Sequence, residues 1–224
     1  MTKYGQFCPV AKAAEILGER WMLLIIRELL LGSTRFNELQ RALPLISPTL
    51  LTKRLNGLRD AGLLVKETLP GQRSTEYRLT PEGLKLSPVI ESLAIWGMRW
   101  VREGLDESDL DAEFLMWDIH RRIDCDHLPG KYSVLHFSFN DQKKLKDWWI
   151  VINDSNIDLC TKNPGREVDL HIISTLADMV DIWMGNMAVS QALKNSKLKL
   201  IGNHDYTKRF KNWFTLSAVA GVSI

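Results

Sequence analysis

Cysteine is scarce: three residues in 224, Cys8, Cys125 and Cys160, far apart and odd in number. Such usage excludes a disulfide framework and fits a reducing cytoplasm. No run of about 18 apolar residues free of charge occurs, so no membrane span is expected. The first residues, MTKYGQFCPVAKAAE, lack the apolar stretch of a secretory signal. Glycine-rich phosphate loops, a nucleophile elbow and an HExxH pair are all missing, and no spacing gathers the acidic residues into one pocket. An enzyme is therefore not expected. Nor is there charge of one sign: 29 Lys/Arg stand against 27 Asp/Glu.

What is present suits a soluble globular protein with a packed core: 45% hydrophobic and 25% charged residues. The charge is unevenly divided. Residues 1–104 hold 15 Lys/Arg against 10 Asp/Glu, and residues 105–224 hold 14 against 17. A basic module joined to an acidic one suggests that the first meets a polyanion.

Residues 9–31 read as helical, with Pro9 in the first turn, a break at Gly18 and Gly32 as a stop. Ser33 or Thr34 can cap a short helix over Arg35–Leu43. Ser47-Pro48 opens the next helix, Pro48–Ala61, with Leu51, Leu55 and Leu58 on one face. Thr49, Thr52, Lys53 and Asn56 occupy its other face. LLVKETL and STEYRLT, joined by Pro70-Gly71-Gln72, predict a hairpin. Thr80-Pro81 is expected to start one long helix reaching about Glu103, apolar through Leu93, Trp96, Trp100 and neighbours. This order is that of a winged helix, mainly α with a β-hairpin wing, and the hairpin is the wing.

A recognition helix needs short polar side chains where it meets base edges. Thr49, Thr52, Lys53 and Asn56 meet that need. Ser47, with the free amides at the helix start, Arg35 and the wing-tip Arg73 are the candidates for backbone contact. Lys66 and Arg78 lie on the wing strands. Arg54 either reaches a phosphate or pairs with Glu38 or Asp60. The alternative is a winged helix used for protein contacts, with these charges as solvated surface.

The stretch CPVAKAAEILGERW, then RFNEL, ISPTLLTKRL, AGL and YRLTPEG, resembles the HxlR family of bacterial winged-helix regulators, relatives of the MarR-type proteins. The resemblance covers about residues 7–100. It implies a homodimer on double-stranded DNA, with a dimer interface from the first helix and the long helix after the wing. Leu93, Trp96 and Trp100 are more apolar surface than one small domain buries alone, which agrees. Some members sense oxidants through a cysteine at the place of Cys8, which makes Cys8 a redox-sensing candidate. The alternative is a thiol that only packs.

Residues 105–112 read as an acidic linker between a first domain, 1–104, and a second, 113–224. Phe114–Ile123 looks helical. KYSVLHFSF, WWIVI and VDLHII alternate like strands. Helices follow at Leu176–Met184 and Val189–Lys194, then the strand KLKLIG and a last helix, Thr207–Phe214. Strands followed by helices indicate an α+β domain. IDLCTKNPG, EVDLHI, LADMVDIWMGNM, ALKNSKLKLIGN and FKNWF resemble a sterol-carrier-protein-type lipid-binding domain. That resemblance implies a hydrophobic small-molecule effector. Trp148, Trp149, Met179, Trp183, Met184, Met187 and Trp213 are the pocket candidates, equally suited to a filled core. His120, Asp124, Cys125, Asp126 and His127 match no metal spacing, and no metal or cofactor is expected. The reading is thus a DNA-binding transcriptional regulator, a repressor, with a lipid-binding or protein-interaction scaffold as the alternative.

Overall fold

The computed structural model describes residues 3–68, 75–101, 109–218 and 220. The chain divides into two compact units, residues 1–96 and 97–224. The expected boundary at 104 lies outside the described residues.

The first unit begins with α1 (Pro9–Leu17) and α2 (Met22–Leu30). The break expected at Gly18 is real and has a steric cause. A β-carbon there would stand 2.6 Å from the Ala14 carbonyl oxygen. Trp21 then turns the chain in a left-handed conformation, φ +81°, with the Arg20 guanidinium 5.0 Å from its ring. α3 (Phe36–Ala42) follows, and its start is held by neither Ser33 nor Thr34. The Glu38 carboxylate reaches back instead and accepts the backbone N–H groups of Thr34 and Arg35 at 2.8 and 2.9 Å. α4 (Pro48–Asp60) is capped as expected, with Ser47 Oγ accepting the Leu50 N–H at 3.3 Å.

β1 (Leu64–Thr68) and β2 (Thr75–Leu79) form the antiparallel wing, Leu64 opposite Leu79. The segment before α3 adds to it: Arg35 bridges to Glu76, and the Tyr77 N–H donates to the Thr34 carbonyl at 2.7 Å. The long helix expected after the wing is two helices, α5 (Pro81–Leu84) and α6 (Ser87–Trp100). Pro88 explains the break, since its ring has no N–H and clashes with the carbonyl four residues earlier, that of Leu84. The core is small and dry. Met22, Ile25, Ile26, Leu39, Ile46, Leu51, Leu55 and Leu58 are each at most 2% exposed.

The second unit is α+β. α7 (Ala112–His120) precedes a five-stranded mixed sheet made of β3 (Tyr132–Phe139), β4 (Asp147–Asn153), β5 (Asn156–Cys160), β6 (Leu170–Ser174) and β7 (Leu198–Gly202). The spatial order is β5-β4-β3-β6-β7, with the β3–β6 pair parallel and the rest antiparallel. β5 was absent from the sequence reading because Asn156 and the Asn163-Pro164-Gly165 turn mask five residues with only Ile157 and Leu159 on one face. α8 (Leu176–Trp183), α9 (Val189–Lys194), α10 (His204–Lys208) and α11 (Phe210–Trp213) complete the unit. The single last helix expected is therefore a pair.

Alternation decides what each sheet face does. Leu135, Phe137 and Phe139 on β3, Trp148, Ile150 and Ile152 on β4, and Leu170 and Ile172 on β6 share one core with Leu115, Met116, Met179 and Ile182 of the helices. The opposite face carries His136, Trp149, Val151, His171 and Ile173, all half-buried. Just past α7, Arg121 and Arg122 both clasp the buried Asp118. Helical spacing of three and four residues puts them on its face.

Candidate nucleic-acid interface

α4 is two-sided. Leu51, Leu55 and Leu58 are at most 2% exposed, so the helix cannot rotate without exposing its anchor. That fixes Thr49, Thr52, Lys53 and Asn56 in solvent, all exposed. These four, with Glu19, Met22, Arg54, Gly57 and Asp60, line a cleft of about 520 Å³. Ser47 and Arg35 are exposed at the starts of α4 and α3. Arg73 lies outside the described residues.

The hydroxyl groups are not equivalent. Thr52 Oγ1 donates to the Pro48 carbonyl at 2.9 Å, which spends its proton inside the helix. Its lone pairs and methyl group remain to face a base edge, as an acceptor for an amino group or an apolar contact for a thymine methyl. Thr49 carries no such bond among those described.

Neighbouring basic residues have separate jobs. Lys53 points outward. Arg54 pairs with neither Glu38 nor Asp60. Its Nε donates to the Arg20 carbonyl at 2.9 Å and its Nη1 pairs with Glu19. It thereby fastens α4 to the turn between α1 and α2. Asp60 is paired with Arg59 at 3.0 Å. Both acids of the cleft are thus neutralised by neighbours, which lessens their repulsion of a polyanion. On the wing, Arg78 binds Glu76 at 2.6 Å, and the Lys66 ammonium lies 5.9 Å from the Tyr77 ring centre.

α6 buries Met98 and exposes much of the rest. Leu93, Trp96 and Trp100 are 46%, 55% and 69% exposed, and Val89, Ile95 and Val101 continue the apolar surface. The N-terminal segment adds Phe7, 99% exposed, and Val10. Cys8 is exposed at the start of α1.

In the second unit the pocket candidates separate into three kinds. Trp148 and Trp213 are core side chains with satisfied indole N–H groups, donating to Leu145 at 2.7 Å and Tyr206 at 3.2 Å. Met179, Trp183 and Met187 are also buried, with Met184 packed against the same core, but Trp183 Nε1 has no hydrogen-bond partner among the described residues. Trp149 faces the other side of the sheet and stacks on His136. In the segment 120–127, His127 pairs with Asp124 at 2.8 Å, and the buried His120 ring bonds the Trp117 carbonyl. Among the described residues no group of three or more His, Cys, Asp or Glu is placed to hold a metal. No helix among them is long and apolar enough to cross a membrane.

Comparison with known proteins places both units. Residues 127–215 match the SCP-2 sterol transfer family. Residues 16–104 match the HxlR-like helix-turn-helix family. The uncharacterized HTH-type transcriptional regulator YvaP of Bacillus subtilis is 37% identical over 109 residues, 48% of this chain and 97% of that protein. The HTH-type transcriptional regulator YodB of the same organism is 32% identical over 99 residues, 43% of this chain and 88% of that protein. The solved reduced form of YodB aligns with a TM-score of 0.38 at 32% identity, covering 42% of this chain and 95% of that one. Through its winged helix, the chain belongs to the HxlR-like helix-turn-helix family.

Proposed function

We propose that the protein is a transcriptional regulator, a repressor, that binds double-stranded DNA as a homodimer through α4. One observation carries this reading: α4 is anchored by a fully buried leucine face while its opposite face offers hydroxyl, amide and ammonium groups to solvent. Thr49, Thr52, Lys53 and Asn56 read the major groove. Ser47 and Arg35 hold the phosphate backbone, and Arg73 on the wing adds to them. The exposed apolar face of α6, with the N-terminal segment, is the dimer surface, and its aromatic residues are suited to that role. Two copies related by a twofold axis then present two α4 helices to a near-palindromic site.

The second unit is the sensor. Its resemblance to sterol carriers supports an apolar effector held against Met179, Trp183, Met184 and Met187. Trp183 Nε1 and Ser174 Oγ, both buried and without a hydrogen-bond partner among the described residues, are available to a polar group on that effector. The effector acts only by favouring one dimer geometry over another.

The test is a mobility shift with the DNA upstream of the protein's own reading frame. A specific, salt-dependent shift that is weakened in Lys53→Ala is expected. A shift of equal strength in Lys53→Ala and Asn56→Ala would overturn the assignment of α4. Sedimentation of the Trp96→Ser/Trp100→Ser variant reads the dimer surface, and an unchanged dimer would place the interface elsewhere.

A further inference from the structure

On the face of the second sheet turned away from the helices, His136 of β3 and His171 of β6 are register partners across the parallel ladder. Their Nδ1 atoms stand 2.9 Å apart. His136 Nε2 lies 3.0 Å from an Asp147 carboxylate oxygen on β4. On its flank the ring stacks on Trp149, with centres 4.8 Å apart and planes 23° from parallel.

This geometry fixes a tautomer. An ionised carboxylate only accepts, so His136 carries its proton on Nε2 and gives it to Asp147. The lone pair of neutral His136 is then on Nδ1, directed at His171. A histidine whose far nitrogen is held by a carboxylate is the usual arrangement of a metal-ligating imidazole.

We propose that His136 and His171 form a two-imidazole binding site for a divalent late first-row metal ion, Cu2+ before Ni2+ and Zn2+. That order is the intrinsic preference of nitrogen ligands among these ions. The two ring nitrogens, 2.9 Å apart, are close enough for one ion to reach both. In the metal-free protein the two rings share a single N–H···N bond along this line. Binding needs a modest ring rotation that brings both lone pairs to one point, and the His171 proton passes to its Nε2. No third His, Cys, Asp or Glu joins the pair among the described residues, so the remaining positions belong to water or an added chelator.

Cu2+–iminodiacetate, which leaves two adjacent positions open, is the probe for the full-length protein. Wild type is expected to bind one complex and to show electron-spin coupling to two imidazole nitrogens. His136→Gln and His171→Gln should each weaken binding at least tenfold and remove that two-nitrogen signature. Asp147→Asn, a positioning change, should weaken it about tenfold while keeping two nitrogens. Circular dichroism of each variant checks the fold. Binding of equal strength in His171→Gln, or loss in His127→Gln instead, would overturn the proposal and leave the pair as a hydrogen bond within the sheet.

Discussion

Lys53 and Arg54 are adjacent cations whose replacement should have opposite consequences. Arg54 spends its charge inside the protein, on Glu19 and on the Arg20 carbonyl, with its side chain 13% exposed and that of Glu19 31%. Hydrogen bonds to a charged group are worth about 1.5–3 kcal/mol where they are sheltered. The partial exposure of Glu19 argues for the lower half of that range. Arg54→Ala should therefore cost about 1.5–2 kcal/mol. In a unit of this size that lowers the melting temperature by roughly 6–16 °C. The salt dependence of DNA binding should stay as it was, because no phosphate contact is lost. Lys53→Ala should do the reverse. Its melting curve stays within about 0.5 kcal/mol of wild type, as for an exposed residue without a structural partner. Reading base edges, the Lys53 ammonium also offsets one flanking phosphate, so its loss reduces the slope of log K against log salt by about 0.9. Between 50 and 200 mM salt the mutant's affinity then falls about 3–4-fold less than wild type's. Calorimetry and a salt series of fluorescence-anisotropy titrations read the two effects. If Arg54→Ala melted normally but flattened the salt slope, the ion pair with Glu19 would be an idle contact and Arg54 a phosphate ligand.

Gly83 approaches the Leu63 carbonyl so closely that a β-carbon would stand 2.3 Å from it. Gly83→Ala should thus cost about 1–3 kcal/mol by overpacking, measured by urea denaturation; a neutral result would mean that α5 moves freely off the wing. The three thiols should react in a set order with a maleimide followed by mass spectrometry. Cys8 is exposed and reacts first, while burial and then Asp124 and Asp126 push the Cys125 thiol pKa up and make it slow. Burial also raises the hydroxyl pKa of Tyr206 above its ordinary 10, against a 2.6 Å bond to Ser133. A raised folded-state value means that this group's stabilisation is complete below pH 10 and is lost as pH rises through the folded value. Tyr206→Phe should flatten the alkaline limb of the stability profile, and an unchanged limb would assign that loss to another group.

The winged helix was legible because its signals are local. Ser47-Pro48 starts α4, Gly62 follows its end, and leucines at helical spacing give its buried side, all within sixteen residues. Local signals also explain the errors. The apolar pattern over residues 81–103 runs through Pro88 as one helix, yet Pro88 sits four residues beyond Leu84, whose carbonyl its ring excludes. Glu38 caps α3 from inside the helix, where no hydroxyl ahead of it marks the start. For Arg54 the sequence offers Glu38 and Asp60, near in the chain, whereas its partner Glu19 is 35 residues away and becomes a neighbour only when the left-handed turn at Trp21 folds α1 back. The same limit governs the second unit at longer range. His136 and His171, also 35 residues apart, meet because β6 pairs parallel to β3 across a crossover from β5, a strand the sequence did not reveal. Trp148 and Trp149 differ by one residue and were grouped together, yet the strand period of two sends one into the core and the other onto His136. A pocket list drawn from composition therefore mixed two faces with different chemistry: an apolar interior suited to an effector, and a polar outer face where imidazoles converge. Any coupling of a ligand to DNA binding has to be sought separately for each face, because a substitution on one leaves the packing of the other intact.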